Sequence, residues 1–458
     1  MKRSAKSKKA GSQRDGGITR ITVAGYKSIV HEQSVQIRPL TVLAGVNSSG
    51  KSSVMQPILL LKQTLEAGYD PGPILLNGPN VKFTSGEQLL SRAGKKISKA
   101  AFYVGLELNS DTEMFLFFKR SAKGGFEIEK LTYAKNKEEI TLAPGMKYDC
   151  EEVFIWLPHP ALSAAHIPGV LKKVVEDGTI KLVVARNRCF LSIEGLDIEQ
   201  GSAPAQIFQP GSNYDLPIRS IIHLPGLRGN PERTYPVTAV GPIFPGTFEK
   251  YVASIIMKWQ ADKSEKIEKL SSDLGKLGLT WKVAARPIDQ TQVELQVGRL
   301  LHAARGGAHD QVSIADVGFG VSQTLPVLVA LHAAEPGQLV YLEQPEIHLH
   351  PRAQAAMAEV LADAAKRGVR VVAETHSSLL LLAIQALVAE GKLSPELVKL
   401  HWFKRGSDGV TTITSADLDD SGAFGEDWPE DFSDIELQAQ SRYLDSVASR
   451  KKKTSRAG

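Results

Sequence analysis

Leu40-Thr41-Val42-Leu43-Ala44-Gly45-Val46-Asn47-Ser48-Ser49-Gly50-Lys51-Ser52-Ser53 carries the clearest structural signal in the chain. An apolar run of strand length, residues 40–44, meets a loop of Gly, Asn and Ser. The loop passes into a segment whose apolar residues Val54, Ile58, Leu61 and Leu65 recur at helical spacing. It fits G-x-x-x-x-G-K-[ST], and a strand before it and a helix after it are the context that this pattern requires. Glycines let the backbone curl until its N–H groups point at one anion. The helix N-terminus adds partial positive charge. Lys51 can then reach the outer phosphates of a triphosphate, and the Ser52 hydroxyl is placed to ligate Mg²⁺. A helix over about 52–66, Pro57 included, and a loop over 68–80 are expected.

Three further elements lie downstream. Leu339-Val340-Tyr341-Leu342-Glu343-Gln344-Pro345-Glu346 is a buried-strand pattern ending in an acid, the arrangement in which a carboxylate supports Mg²⁺ beside such a loop. Val371-Val372-Ala373-Glu374-Thr375-His376-Ser377 is a second buried strand, ending in a His 33 residues after Glu343. Strand C-termini of a doubly wound sheet converge on the ligand crevice, so His376 is a candidate for the terminal-phosphate region, against a purely structural role at a strand end. Asp316-Val317-Gly318-Phe319-Gly320-Val321-Ser322-Gln323-Thr324 places two glycines before an apolar helix, a further anion site in principle. Between and after these come helical patterns over 321–333, 351–366 and 378–389 and strand patterns over 338–342 and 369–373, so a parallel sheet is expected. Short alternating stretches over 101–108, 114–119 and 181–185 read as antiparallel strands, and 247–274 reads as one long helix.

The chain has 458 residues, 42% hydrophobic and 23% charged, which excludes a collagen, a disordered acidic protein and a disulfide scaffold. Its net charge of +5 is uneven: residues 1–20 carry +6 and residues 449–458 carry +5, leaving −6 for the body. The two basic ends are either solvated tails or contacts for an acidic partner such as DNA. The two cysteines, Cys150 and Cys189, with no secretory signal pattern, point to a reducing cytoplasmic setting. No run of 18 apolar residues occurs, so no transmembrane helix and no membrane partner are expected. Arg228 and Arg233 sit on a Gly/Pro-rich loop, where they are either phosphate contacts or ordinary surface arginines. The segment 417–434 holds eight acids and no cation, a solvated or docking segment in preference to a metal site.

In their order along the chain, 45–53, 316–324, 339–346 and 371–377, the four elements resemble those of an ABC-type ATPase of the branch containing the structural-maintenance-of-chromosomes, RecF and OLD proteins. Glu343-Gln344-Pro345-Glu346-Ile347-His348-Leu349-His350-Pro351 with Glu374-Thr375-His376-Ser377 is similar to bacterial AAA-type ATPases of the OLD-like group. Trp428-Pro429-Glu430-Asp431-Phe432 resembles the W-P-x-x-F mark of a C-terminal domain in one subfamily. The resemblance covers roughly residues 19–92 and 220–435. It implies an α/β P-loop NTPase head, ABC-ATPase-like, with a mixed or parallel sheet, a β-rich N-terminal part and a middle insertion.

The expected boundaries are a basic tail at 1–18, an N-terminal lobe at 19–145, an insertion at 146–220, a C-terminal lobe at 221–410, an acidic segment at 411–448 and a basic tail at 449–458. The resemblance also implies two heads that sandwich ATP and Mg²⁺. Residues 45–53 of one head then bind the triphosphate, and Gly318, Gly320, Ser322 and Gln323 of the other contact it in trans. Glu343 supports Mg²⁺, His376 takes the switch-histidine place, and Gln56, Gln63 or Gln88 is the Q-loop glutamine, with Gln88 preferred.

Gln344 stands where most ABC ATPases place the catalytic Glu. An amide orients water but does not accept its proton, so slow hydrolysis is expected, with Glu346 or His376 assisting. The only long helix expected is about 30 residues, too short for a rod-like coiled coil, and the 82 residues after His376 are too few for a nuclease domain. The function implied is an ATPase that forms a homodimer or larger oligomer and regulates a separate effector, a nuclease, in antiphage defence. A DNA-repair ATPase that binds DNA through its tails is the alternative.

Overall fold

The computed structural model describes residues 17–93, 96–97, 100–109, 111–122, 124–146, 180–197, 205–300, 310–425 and 442. Residues 1–16, the C-terminal basic end, the W-P-x-x-F segment, Cys150 and five of the eight acids of 417–434 lie outside them. Strand β1 (Ile18–Ala24) and strand β2 (Gln33–Gln36) precede strand β3 (Leu40–Gly45), every residue of which is buried. Helix α1 (Lys51–Glu66) starts directly after the glycine-rich loop.

The N-terminal part is antiparallel. Strands β4 (Ala101–Leu108), β5 (Thr112–Arg120), β6 (Phe126–Lys135) and β7 (Glu138–Leu142) extend from β1 to give the order β2-β1-β4-β5-β6-β7. Alternation is clean here: β5 buries Met114, Leu116 and Phe118 and leaves the intervening residues half-buried. Strands β8 (Ile180–Asn187), β9 (Phe190–Asp197) and β10 (Ala205–Phe208) make a three-stranded sheet, followed by helix α2 (Ser212–Arg219). Arg188, in the β8–β9 turn, donates to the carbonyls of Thr64, Leu65 and Ala67 at 2.7–2.9 Å. It thereby satisfies the orphan C-terminal carbonyls of α1 with a cation where the helix dipole favours one.

The central sheet has the order β11-β16-β17-β3-β18-β19, built from Ile222–Leu224, Leu339–Glu343, Arg370–Thr375, Leu40–Gly45, Val398–Arg405 and Thr411–Ala416 respectively. The first five are parallel, and β19 adds an antiparallel edge. Parallel strands are covered on both faces, which is why they read as unbroken apolar runs. Alternation divides them between two cores. Leu40, Val42 and Ala44 join Val340, Leu342, Val371 and Ala373 in one. Leu43, Tyr341, Val372 and Phe403 face the other, together with α1 and the N-terminal sheet.

Between β11 and β16 lie strands β12 (Tyr235–Pro236), β13 (Val283–Pro287), β14 (Gln292–Gly298) and β15 (Gln311–Ser313), which form a small antiparallel sheet. The long helix expected over 247–274 is instead a 3₁₀ turn (Phe248–Tyr251), helix α3 (Val252–Ala261) and helix α4 (Glu265–Lys276). Lys263 adopts φ of +49°, and the Ser264 hydroxyl caps α4 by accepting from the Lys266 N–H. The break lets both halves pack on helix α5 (Phe319–Ala333). Helices α6 (Pro351–Lys366) and α7 (Ser378–Ala389) follow β16 and β17. The longest described helices have 16 residues, and among the described residues no helix is long and apolar enough to cross a membrane.

Candidate nucleotide-binding site

The phosphate loop is shaped by what packs behind it. Gly45 has φ of +146°, and a Cβ there would stand 2.4 Å from the Phe403 carbonyl oxygen on the neighbouring strand β18. Gly50 has φ of +102°, and its Cβ would meet Thr411 Oγ1 at 2.5 Å and Ser28 Oγ at 2.8 Å. The motif's two glycines therefore sit where no side chain fits. Ser48 adopts φ of +62°, the Arg405 guanidinium donates to its carbonyl, and Thr411 donates to the carbonyl of Ser49 at 2.7 Å. Lys51 is buried, and its ammonium donates to the carbonyls of Gly45 and Val46 at 3.0 Å each. Burial lowers its pKa, against the opposing pull of Glu374 and Glu346.

A cleft of about 1000 Å³ opens over this loop at the C-terminal ends of the parallel strands, the crevice where open α/β sheets bind ligands. Asn47, Ser48, Ser49, Gly50, Lys51, Ser52 and Ser53 line one wall. Glu343, Gln344, Glu374 and His376 line another, with Gln56 and Gln88 at the periphery. Gly45 and Val46 form the base of the loop outside the lining. Of the glutamine candidates, Gln63 is buried and spent on the loop at 75–81, donating to the carbonyls of Leu75 and Val81. Gln56 accepts from Lys27 at 2.5 Å, and Gln88 is exposed and bonded to Thr84.

Four groups at the strand ends are organised by hydrogen bonds. Glu343 accepts from the Gly226 N–H at 3.1 Å through Oε2 and pairs with His223 Nε2 at 3.2 Å through Oε1. Burial works to raise its pKa, but those two hydrogen bonds prevail and lower it. His223 stacks on Tyr341, with centroids 5.1 Å apart and planes 11° from parallel. Glu374 is buried, accepting from the Ser52 hydroxyl at 2.9 Å and from the Tyr341 hydroxyl. Burial, then the charge of Glu343, pushes its carboxyl up to about 7.

Glu346 lies behind the cleft wall. Thr375 Oγ1 donates to its Oε1 at 2.6 Å, while its Oε2 is buried without a partner and burial raises its pKa. Gln344 adopts φ of +46°, and its N–H donates to the Glu374 carbonyl at 2.9 Å. A residue before proline favours extended backbone, so this is a strained position on the cleft wall. Burial and the charge of Lys51 hold the His376 ring below the usual histidine range.

The expected signature segment stands apart. Gly318, Gly320, Ser322 and Gln323 do not line the cleft. Gln323 donates to the carbonyls of Arg228 and Gly229, and Ser322 to that of Phe319. Both arginines of the 224–233 loop are committed elsewhere. Arg228 is buried and donates to the carbonyls of Gln323 (3.0 Å), Glu343 (2.8 Å) and Gln344 (3.3 Å). Arg233 is exposed and pairs with Asp316 at 2.8 Å. Arg228 thus replaces the surface reading with a buried clamp between α5 and the end of β16.

Glu374, Tyr341, His223 and Arg405 are the site residues not singled out from sequence. The available signal for Glu374 was its place at the end of a second buried strand. Among the described residues no cluster of three His, Cys, Asp or Glu could hold a metal by itself. A hydroxyl beside two carboxylates nevertheless suits Mg²⁺, which takes one or two carboxylates and completes its shell from phosphates and water. Of the acidic segment, Asp417 pairs with Arg38 and Lys399, and Asp419 caps its own turn.

Residues 264–383 match the family described as "AAA domain, putative AbiEii toxin, Type IV TA system". No curated protein matches the chain. Similar solved structures include an Smc head bound to the C-winged helix domain of ScpA, with 11% identity and a TM-score of 0.47 over 88% of this chain and 98% of that one. The SMC head domain from Thermotoga maritima gives 11% identity and a TM-score of 0.39, covering 87% of this chain and 98% of that one. An Smc head with an extended coiled coil, bound to the C-terminal domain of ScpA and derived from Pyrococcus furiosus, gives 10% and 0.43, covering 94% and 99%. These likenesses are distant. The loop between β3 and α1 and the parallel sheet behind it make a P-loop NTPase fold, and residues 264–383 of that fold are similar to an AAA domain.

Proposed function

We propose that the chain binds ATP with Mg²⁺ and hydrolyses it slowly, acting as a switch that pairs two heads and regulates a separate effector, a nuclease, in antiphage defence. The observation that carries the ATP reading is the loop itself. Its glycines are excluded from bearing side chains by Phe403 and Thr411, and Lys51 and two strand-end carboxylates share its cleft. In this reading the loop N–H groups and Lys51 hold the β- and γ-phosphates. Ser52, Glu343 and Glu374 are the residues that would hold Mg²⁺, which when bound neutralises charge developing on the phosphates. Gln344 orients the attacking water and His376 faces the terminal phosphate. The buried Glu346 sits behind them, its free oxygen available to a proton.

Pairing of heads is supported by the position of the signature segment. Gly318, Gly320, Ser322 and Gln323 are outside their own head's cleft, as they must be if they serve another's. Val46 and Leu227, at the loop and cleft wall, are exposed apolar residues suited to a covered face. The defence role is suggested by the toxin–antitoxin description of the matched family. The basic ends are the candidates for any DNA contact.

The test is turnover and oligomeric state together. Wild type should hydrolyse ATP slowly and run as a dimer or larger with ATP. Gln344→Glu should raise turnover by roughly tenfold or more, because a carboxylate accepts the water's proton. Fast wild-type turnover that Gln344→Glu leaves unchanged would refute the role of Gln344.

A further inference from the structure

The resemblance assigns the cation-supporting carboxylate to Glu343, at the end of β16. The sheet order puts a different acid closer. Strand β17 lies between β16 and β3, with Glu343 in register with Glu374 and Thr375 in register with Ala44, next to the phosphate loop. Glu374 is thus one strand from the P-loop strand and Glu343 is two, a difference of about 4.8 Å across a sheet. The side chains follow the backbone. The Ser52 hydroxyl donates to Glu374 Oε2 at 2.9 Å, and the Tyr341 hydroxyl holds Oε1. Both oxygens of Glu343 are engaged with His223 and the Gly226 N–H. Tyr341 links the two acids, bonding to Glu374 while its ring stacks on His223.

We propose that Glu374 is the positioning residue for the nucleotide's divalent cation, acting through Ser52, in the place the motif assigns to Glu343. Glu343 then anchors the 223–226 segment to the end of β16, and its contribution to cation binding is secondary. Mg²⁺ demands near-octahedral oxygen geometry and tolerates little displacement of its ligands. Losing the charge of the nearer carboxylate should therefore weaken the cation's hold on the nucleotide more than losing that of the farther one. This inference rests on the ATP-binding reading above.

The experiment measures the affinity of full-length protein for a fluorescent ATP analogue in EDTA and across a Mg²⁺ titration. The readout is the ratio of the two affinities for each variant. Wild type should bind more tightly with Mg²⁺. Glu374→Gln should shrink that enhancement by tenfold or more, and Glu343→Gln by less than threefold. Binding of Mn²⁺ in the presence of the analogue, followed by electron paramagnetic resonance, should weaken in the same order. If Glu374→Gln does not fold, Glu374→Asp retains the charge and shortens the reach, and should lose part of the enhancement. The inference is overturned if the Glu374 variants keep the full enhancement, or if Glu343→Gln loses more than they do. A wild type that binds the analogue in neither condition would remove the ATP reading and this inference with it. Binding in EDTA with no Mg²⁺ enhancement in wild type would remove this inference alone.

Discussion

Replacing Arg228 with Ala tests whether the 224–233 loop holds the site together or contacts phosphate. The guanidinium donates to three carbonyls on two elements, Gln323 on α5 and the Glu343–Gln344 pair at the end of β16. Each buried carbonyl left without a donor costs about 1–3 kcal/mol, and hydrogen bonds from a charged donor stand at the upper end. Three full penalties would approach ~9 kcal/mol by that range, but Gln323 lies within α5, whose own backbone ladder also serves its carbonyl, and Arg228 lines a second cavity of about 400 Å³. Water entering from it can satisfy part of what is lost. An expected loss of about 3–5 kcal/mol results, similar to that for breaking a buried charged pair. Chemical denaturation followed by tryptophan fluorescence reads it as a lowered midpoint of the first transition. Arg228→Lys should recover less than half, because one ammonium cannot span both elements as a guanidinium fork does. A loss below about 1 kcal/mol accompanied by a large drop in ATP affinity would refute the clamp and restore the phosphate-contact reading.

Gly50→Ala should cost about 2–4 kcal/mol and abolish ATP binding, since its methyl group meets two hydroxyls at a left-handed φ; unchanged melting and unchanged binding of a fluorescent ATP analogue would contradict this. Stability of the nucleotide-free protein should carry a pH signature from Glu374, whose carboxyl is raised from 4.5 to about 7. Between those values the folded protein holds a proton that the unfolded chain has released, so stability falls as pH rises through the window and stays lowered above it. The difference between wild type and Glu374→Gln should change by about 3 kcal/mol between pH 4 and 8; a flat difference, or one of opposite sign, would show that Glu374 is not buried as described.

Much of this architecture could be read from residues alone, for a physical reason. Parallel strands covered on both faces leave unbroken apolar runs, so 338–342 and 369–373 read as strands, within two residues of the observed β16 and β17, and the glycine-rich loop placed β3 and α1. The segment at 247–274 misled because Ile255, Trp259, Ile267 and Leu270 keep helical spacing across the turn at Lys263, and only Ser264 marked the new start. Arg228 could not be placed because a loop arginine's burial depends on α5 and β16, which lie 95 and 115 residues away. Glu374 was visible as a letter but not as a neighbour of Ser52, since strand order within a parallel sheet is not written in chain order. The antiparallel strands beyond residue 100 carried alternation, but nothing in them told which sheet they would join.

Equilibrium binding of ATP with Mg²⁺, followed by calorimetry, decides whether residues 45–53 hold a nucleoside triphosphate. Wild type should bind one ATP per chain, and Lys51→Ala, which removes the cation beside the β- and γ-phosphates, should weaken binding by about 100-fold, near 3 kcal/mol. Equal affinity in the two proteins, or no binding by wild type, would overturn the assignment of this loop to a triphosphate.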